Sequence, residues 1–594
     1  MQKQNMKRTI IALLALVAVA GQAKEKTIVW ENPAKAFNCS DFLLIDKVEL
    51  TKQETKLYAR YYYMPSYWFS IAKGSYLQSN GKTYPIVSAD SITLGERFTL
   101  GDKGEQEFVL HFEPLPMKTK EFDFIEGLGE KDFKVFGIHD STYTMPAAPM
   151  PAEYRADYAE EDQLEDLKYS EEPATVRFKA LNYRKGMRPR LKAQYVDLKN
   201  PTEPIDVDFR MNDEGEAEIS LPVGFPQMVW FHMINFPWSS NCTLYLVPGK
   251  EITVLVDMLK DDTFRGNKFI GYKGYFAKFA REYYQMQVDY LDKEEPMKAT
   301  ATTVDELIRD YDEYCENSAK LMESQPYSKA LKEVIVQRIY DGSYSFNYHG
   351  ETIDSLSKQP AFTEHILQHH RSGLNSPKAV LTLAFVYASR YYAMDKEARG
   401  INADLARYCY YLPKVLDGQK VEKPLIEDKS LSALYDQAVA EYQKTIAANQ
   451  KGLADNVHYL DMTDVAPENI LQTILDKYKG KAVLIDLWAT WCGPCRKGHK
   501  DMAPLKEQLK GKNIQFVYIT SDSSPYEDWK PMLGDISGNH YYLTKGQWDH
   551  LLELYQSHGI PTYAIYDADG KLTYSIVGFP GLDKIKEEIE KVLK

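Results

Sequence analysis

One stretch constrains this chain more than any other: an apolar run, residues 482–488, that ends in Trp491-Cys-Gly-Pro-Cys495 and continues as helical sequence through Ala503. Ala-Val-Leu-Ile-Asp-Leu-Trp reads as a buried strand, and a strand feeding a helix is the unit of α/β architecture. A Cys-x-x-Cys at a helix start suits dithiol chemistry. The unpaired N–H groups and the macrodipole of the first turn stabilise a thiolate, which is the nucleophile. Cys492 is therefore expected to be activated. Cys495, one turn on, is expected to face inward and to close a disulfide by attacking a mixed disulfide formed at Cys492. The other use of this spacing is half of a zinc site. The remaining ligands would have to come from His458, His499, His540, His550 and His558, none at paired spacing. A purely structural bridge over so short a loop would restrain the unfolded chain little.

Residues 514–519, 563–566 and 572–577 read as three further strands, and 582–593 as an amphipathic closing helix. An α/β domain over 451–594 follows. Within it, Asp486-Leu-Trp-Ala-Thr-Trp-Cys-Gly-Pro-Cys495, Gly559-Ile-Pro-Thr562 and Gly578 together resemble the active-site region of thioredoxin. With an export signal and the long spacing between Cys495 and Pro561, the segment more closely resembles the TlpA/ResA-type periplasmic thiol-disulfide oxidoreductases.

That resemblance implies a thioredoxin fold with no cofactor beyond the redox-active Cys492–Cys495 disulfide. It implies that Pro561 is a cis-proline facing the cysteines and that Ile560 presents its backbone to an extended substrate peptide, beside Trp491, Gly493 and Pro494. Asp486 would be the buried acid that relays a proton to or from Cys495, its pKa raised by burial. The Gly493-Pro494 pair resembles the reducing branch, which implies a reductase of disulfide-containing proteins, recharged by a membrane electron donor. Isomerase and oxidase are the alternatives. A thiol peroxidase of the same fold would want Thr three residues before its cysteine, where this chain has Ala489. Many TlpA-like sequences carry Glu and Pro where this chain has Gly498 and Lys500. The missing Glu weakens the link to cytochrome c maturation found in some relatives.

Residues 1–23 have secretory grammar: Lys3, Lys7 and Arg8, an apolar run from Ile10 to Ala20, then Gly21-Gln-Ala23. Eleven apolar residues are too few to span a bilayer, so an exported, periplasmic or envelope protein is expected. Its 72 basic and 85 acidic residues give a net charge of −13, which makes nucleic acid an improbable partner.

With 594 residues, several domains are expected. Residues 24–145 alternate short Tyr-, Phe- and Val-rich runs with turns such as Ser79-Asn-Gly-Lys82, the pattern of a β-sandwich. Pro-rich and acidic residues make 146–173 a linker. Residues 174–262 read as a second β-sandwich, with a hairpin across Asn212-Asp-Glu-Gly215. Residues 263–450 read as five to seven helices, among them 379–393 and 431–447. The expected protein is multidomain: two β-sandwich modules, an α-helical region and a C-terminal thioredoxin fold. The N-terminal modules are expected to bind or position an envelope partner, and a binding protein in which they carry the main role is the rival reading. Cys39, Cys242, Cys315 and Cys409 read as isolated buried thiols. His365 and His369, one turn apart, read as a solvated helix face, because no third metal ligand is evident. Tyr61-Tyr-Tyr63 and Tyr410-Tyr411 fit strand and core packing.

Overall fold

The strand Thr55–Tyr62 buries every second residue, Thr55, Leu57, Ala59 and Tyr61, as expected of a sheet with one wet face. It lies third in a nine-stranded antiparallel sheet ordered Ile28–Glu31, Leu43–Leu50, Thr55–Tyr62, Glu105–Phe112, Lys82–Asp90, Tyr76–Ser79, Glu121–Ile125, Lys134–His139 and Phe37–Asn38. The turn after Ser79 uses Asn80 and Gly81 at positive φ, the geometry of a tight hairpin. Trp30 from the first strand stacks on Phe122 from the seventh, with ring centroids 5.7 Å apart. The sheet therefore folds back on itself around one core. Nine strands of the first module thus form one hydrogen-bonded sheet bent over that core, and Trp68–Phe69 pairs with Phe98–Thr99 as a separate two-stranded ribbon.

This computed structural model describes residues 26–40, 42–146, 148–155, 163–199, 201, 204–234, 240–260, 268–289, 301–340, 350–366, 389, 393–395, 397–416, 419, 421–459 and 465–593. The expected export signal, His369 and most of 379–393 lie outside the described residues.

In the second module two four-stranded sheets enclose a common core of Val176, Phe178, Leu191, Phe231, Leu244 and Val254. The expected hairpin across 212–215 is not one. The turn itself forms, with Asn212 N–H donating to Glu216 O at 2.8 Å. The strands it joins, Ile205–Arg210 and Glu216–Leu221, pair in opposite sheets. A second difference lies at the boundary: the strand Phe269–Gly274, beyond residue 262, pairs with Glu251–Asp257 and completes the sandwich. The two modules are joined through Phe37, Ile125 and Phe136, which pack into the second core, and through Arg184, which pairs with Asp123 and Glu121. The linker is pinned as well: Tyr154, Leu164 and Leu167 are buried.

Six helices follow among the described residues before residue 451: Ala277–Asp289, Val304–Glu323, Lys329–Tyr340, Gly350–Ser357, Ile401–Leu416 and Lys429–Gln450. Val304–Glu323 buries Leu307, Tyr311, Cys315 and Met322 at helical spacing.

The C-terminal sheet has six strands, ordered Val457–Tyr459, Asn539–Leu543, Ile514–Ser521, Ala482–Leu487, Thr562–Tyr566 and Leu572–Val577. The first four are mutually parallel, Thr562–Tyr566 runs antiparallel to them, and Leu572–Val577 runs antiparallel to Thr562–Tyr566. Strand alternation sorts Ala482–Leu487 between two layers. Val483, Ile485 and Leu487 pack in the layer with Ile470–Asp476 and Lys545–Leu554. Ala482 and Leu484 pack under Gly493–Gln508 and Leu582–Val592. Asp486, by parity, belongs to the layer under Gly493–Gln508.

Candidate active site

Cys492 is the N-cap of helix Gly493–Gln508, and its Sγ accepts a hydrogen bond from Cys495 N–H at 3.2 Å. That donor is one of the first-turn amides without a helical partner. Pro494 sits in the first turn, where its missing N–H costs nothing. Cys492 and Cys495 are joined as a disulfide, with Cα atoms 5.3 Å apart. Cys495 is fully buried, Gly493 and Pro494 are exposed, and Trp491 is 64% exposed. The Trp491 indole is fixed by Nε1–H donating to Ser523 O at 3.0 Å. The Ile560–Pro561 bond is cis. Gly578 N–H donates to Pro561 O at 2.7 Å, and Ile560 packs against the cluster that holds Cys492 and Cys495. The sequence-predicted residues therefore converge on one end of the sheet.

Asp486 has no solvent exposure. Burial raises its pKa above the usual carboxylate value of 3.8, and the nearby His499, Lys506 and Tyr563 moderate the rise. His499 Nε2 lies 3.1 Å from Asp486 Oδ2.

Sequence reasoning missed what surrounds this carboxyl. The register places Asp486 opposite Tyr563 on one side and Tyr518 on the other, and Tyr518 opposite His540. Four polar residues thus cross four adjacent strands in one row. Cys495, His499, Met502 and Lys506 form the helical stripe above it, at i, i+4, i+7 and i+11. Lys506 Nζ donates to Tyr518 Oη at 2.9 Å, and burial lowers its pKa to about 8. His540 donates from Nε2 to Ile536 O at 2.6 Å, and burial lowers its pKa to about 4, which keeps the ring neutral. The helical spacing of His499 from Cys495 was the one signal in the sequence that could have found it.

Gly498 has a steric reason. A Cβ there would stand 2.6 Å from the Tyr563 hydroxyl and 3.4 Å from the Phe579 ring, so the room that a longer side chain would fill is already taken.

Cys242, Cys315 and Cys409 are buried free thiols, and Cys39, also free, is half-buried rather than buried. His365 Nε2 lies 2.8 Å from Asp312 Oδ1. Tyr61 stacks on Phe69 and Tyr63 packs edge-on against Tyr67. Among the described residues, no helix is long and apolar enough to cross a membrane.

Residues 454–593 match the Redoxin family. The same region is similar to the thiol-disulfide oxidoreductase ResA of Bacillus thuringiensis, 28% identical over 130 residues, and to ResA of Geobacillus thermodenitrificans, 26% identical over 135 residues. These matches cover 20% and 21% of this chain, and 66% and 75% of the relatives. The chain thus spans just under two thirds of the length of the Bacillus relative. A crystal structure of the thioredoxin domain of a Bacteroides vulgatus thiol-disulfide oxidoreductase is 28% identical, with coverage of 20% of this chain and 84% of that one and a TM-score of 0.19. The C-terminal domain is a redoxin domain of ResA-like, thioredoxin-related type, and the resemblance is confined to it.

Proposed function

We propose that this protein is an exported thiol-disulfide oxidoreductase that reduces disulfides in other proteins. The observation that carries the reading is a Cys-x-x-Cys at a helix N-terminus, with a cis-Pro loop packed against the cysteines and a buried carboxyl beneath them. In the reduced enzyme the Cys492 thiolate attacks one sulfur of a substrate disulfide. That bond breaks, the departing sulfur keeps the electron pair and takes a proton, and a mixed disulfide remains on Cys492. Cys495 then loses its proton to Asp486 and attacks Cys492 Sγ, which expels the second substrate sulfur. Two electrons and two protons pass to the substrate, and Cys492 and Cys495 end as the disulfide. A dithiol donor at the membrane must then reduce the pair again. The β modules and helices would hold or orient an envelope partner.

Replacing Cys495 with Ala should trap substrates as mixed disulfides on Cys492. Equilibration of the full chain with glutathione sets direction. A potential near about −270 mV marks a reductase, about −180 mV an isomerase and about −120 mV an oxidase. Either of the last two values overturns the assigned direction. No mixed disulfide with any protein disulfide overturns the oxidoreductase reading.

A further inference from the structure

The polar row beneath the cysteines raises a question that the thiol chemistry leaves open. Asp486 is sealed from water, yet each catalytic cycle must deliver a proton to it and take one away. Without a route to solvent, the carboxyl could return its proton only to Cys495, when the pair is reduced again.

The neighbouring groups narrow the route. From the flanking strands Tyr518 and Tyr563 face the carboxyl, and burial holds both phenols well above their usual pKa, so neither releases a proton near neutrality. His540, one strand further, is kept neutral and spends its Nε2–H on Ile536 O. Lys506 spends hydrogen bonds on Tyr518 Oη and Ser537 O. His499 differs in its contact with the carboxyl: its Nε2 bonds Asp486 Oδ2, while its buried Nδ1, like that of His540, has no hydrogen-bond partner among the described residues. The same residue lines a groove of about 910 Å³ that Trp491 also lines. The charged groups around that groove are Arg496 and Lys500 from the cysteine helix, and Asp528 and Asp535 from the facing segment.

We infer that His499 is a positioning and relay residue through which Asp486 exchanges its proton with the water of the Trp491 groove. The inference rests on the oxidoreductase reading above. In the resolving step the Cys495 S–H proton passes to Asp486. The carboxyl hands a proton across the Oδ2–Nε2 bond to the imidazole, which gives up its Nδ1–H to water entering from the groove, and re-reduction, which reprotonates Cys495, runs the transfer backwards and restores the ring. The carboxylate is restored, and the charge on Arg496, Lys500, Asp528 and Asp535 sets how readily that water accepts the proton. No electron moves in these steps. Cys495 and His499 lie one turn apart on a single helical stripe, so the same element fixes both ends of the route.

The test uses the reduced full chain and a thionitrobenzoate mixed disulfide on Cys492, with release of the coloured thiolate followed from about pH 5 to about pH 9. His499→Gln keeps an N–H donor near Asp486 but cannot pass a proton. Release should slow about tenfold or more at neutral pH, with a flattened pH profile, given that general acid–base groups contribute about 10²–10⁴-fold. His499→Ala should slow similarly and recover when imidazole is added, in proportion to its free base. The Asp486→Asn, His499→Gln double variant should be no slower than Asp486→Asn alone, because the two residues act in series. A wild-type rate and profile in His499→Gln overturns the relay. So does a slowed His499→Ala that imidazole does not restore, which leaves His499 a packing role only. If the wild-type chain forms no mixed disulfide, the oxidoreductase reading falls instead.

Discussion

Cys242 and Cys492 are both buried sulfurs, yet their surroundings give them opposite chemistry. Cys242 lies in the core of the second β module among Leu244, Phe231 and Phe178, where burial pushes its thiol far above the usual value. Cys39, Cys315 and Cys409 follow it, each pushed up to about 12. Cys492 sits where a strand has just ended and a helix begins, beside an amide that donates to its sulfur. Burial among side chains suppresses a thiolate, whereas burial against unpaired backbone N–H groups favours one. Reactivity in this chain is a property of position along the fold, not of exposure alone.

The largest expected effect tests this contrast directly. In the reduced protein near pH 7, Cys492 should be alkylated at least about 10³-fold faster than Cys39, Cys242, Cys315 or Cys409, since thiolate fraction falls tenfold for each unit of pKa. Mass spectrometry of timed iodoacetamide reactions reads the order. Equal labelling of Cys39 and Cys492 would break the contrast.

The next effect concerns Asp486. Asp486→Asn should slow disulfide reduction about 100-fold near neutrality while the domain stays folded. The stability effect should run the other way. Because burial raises the folded-state pKa, the neutral carboxyl is favoured in the fold, and its contribution is complete below the ordinary value of 3.8. That contribution is lost as pH rises through the folded value. The variant should therefore melt at nearly the wild-type temperature near about pH 4, and above it by a margin that grows toward about pH 8. A margin independent of pH would mean that the carboxyl is not desolvated.

The smallest effect is steric. Gly498→Ala places a methyl against the Tyr563 hydroxyl and should cost about 1–3 kcal/mol in denaturant unfolding of the C-terminal domain. A neutral or stabilising result would show that Tyr563 can swing away.

The elements around Cys492 were legible because several local signals agree there: an apolar run, a helix start and a pair of chemically committed residues. The turn at 212–215 shows the limit. Asn212 and Gly215 specify a chain reversal correctly, but which strand lies beside each arm depends on residues far away in sequence, and the two arms enter different sheets. The strand Asn539–Leu543 was missed for a related reason, since it lacks β-branched residues and carries two polar ones. With it went His540, and the row through Tyr518, Asp486 and Tyr563, which exists only once strand register is known.

The way the chain enters the C-terminal domain has a mechanical consequence. The helix Lys429–Gln450 does not stop short of that domain. Asn449 O accepts from Tyr526 Oη at 2.6 Å, Asn449 Nδ2 donates to Tyr459 Oη at 2.8 Å, and Ile446 rests on the cluster that contains Cys492 and Cys495. A domain hung on a polar tether would meet its targets by random search, at a local concentration set by tether length. Here the final turn of a 22-residue helix is clamped to the redox domain. On the proposed function, a partner held by the preceding modules would be presented along a stiff boom, so that reach and approach angle, rather than tether length, would set which disulfides come within range of Cys492.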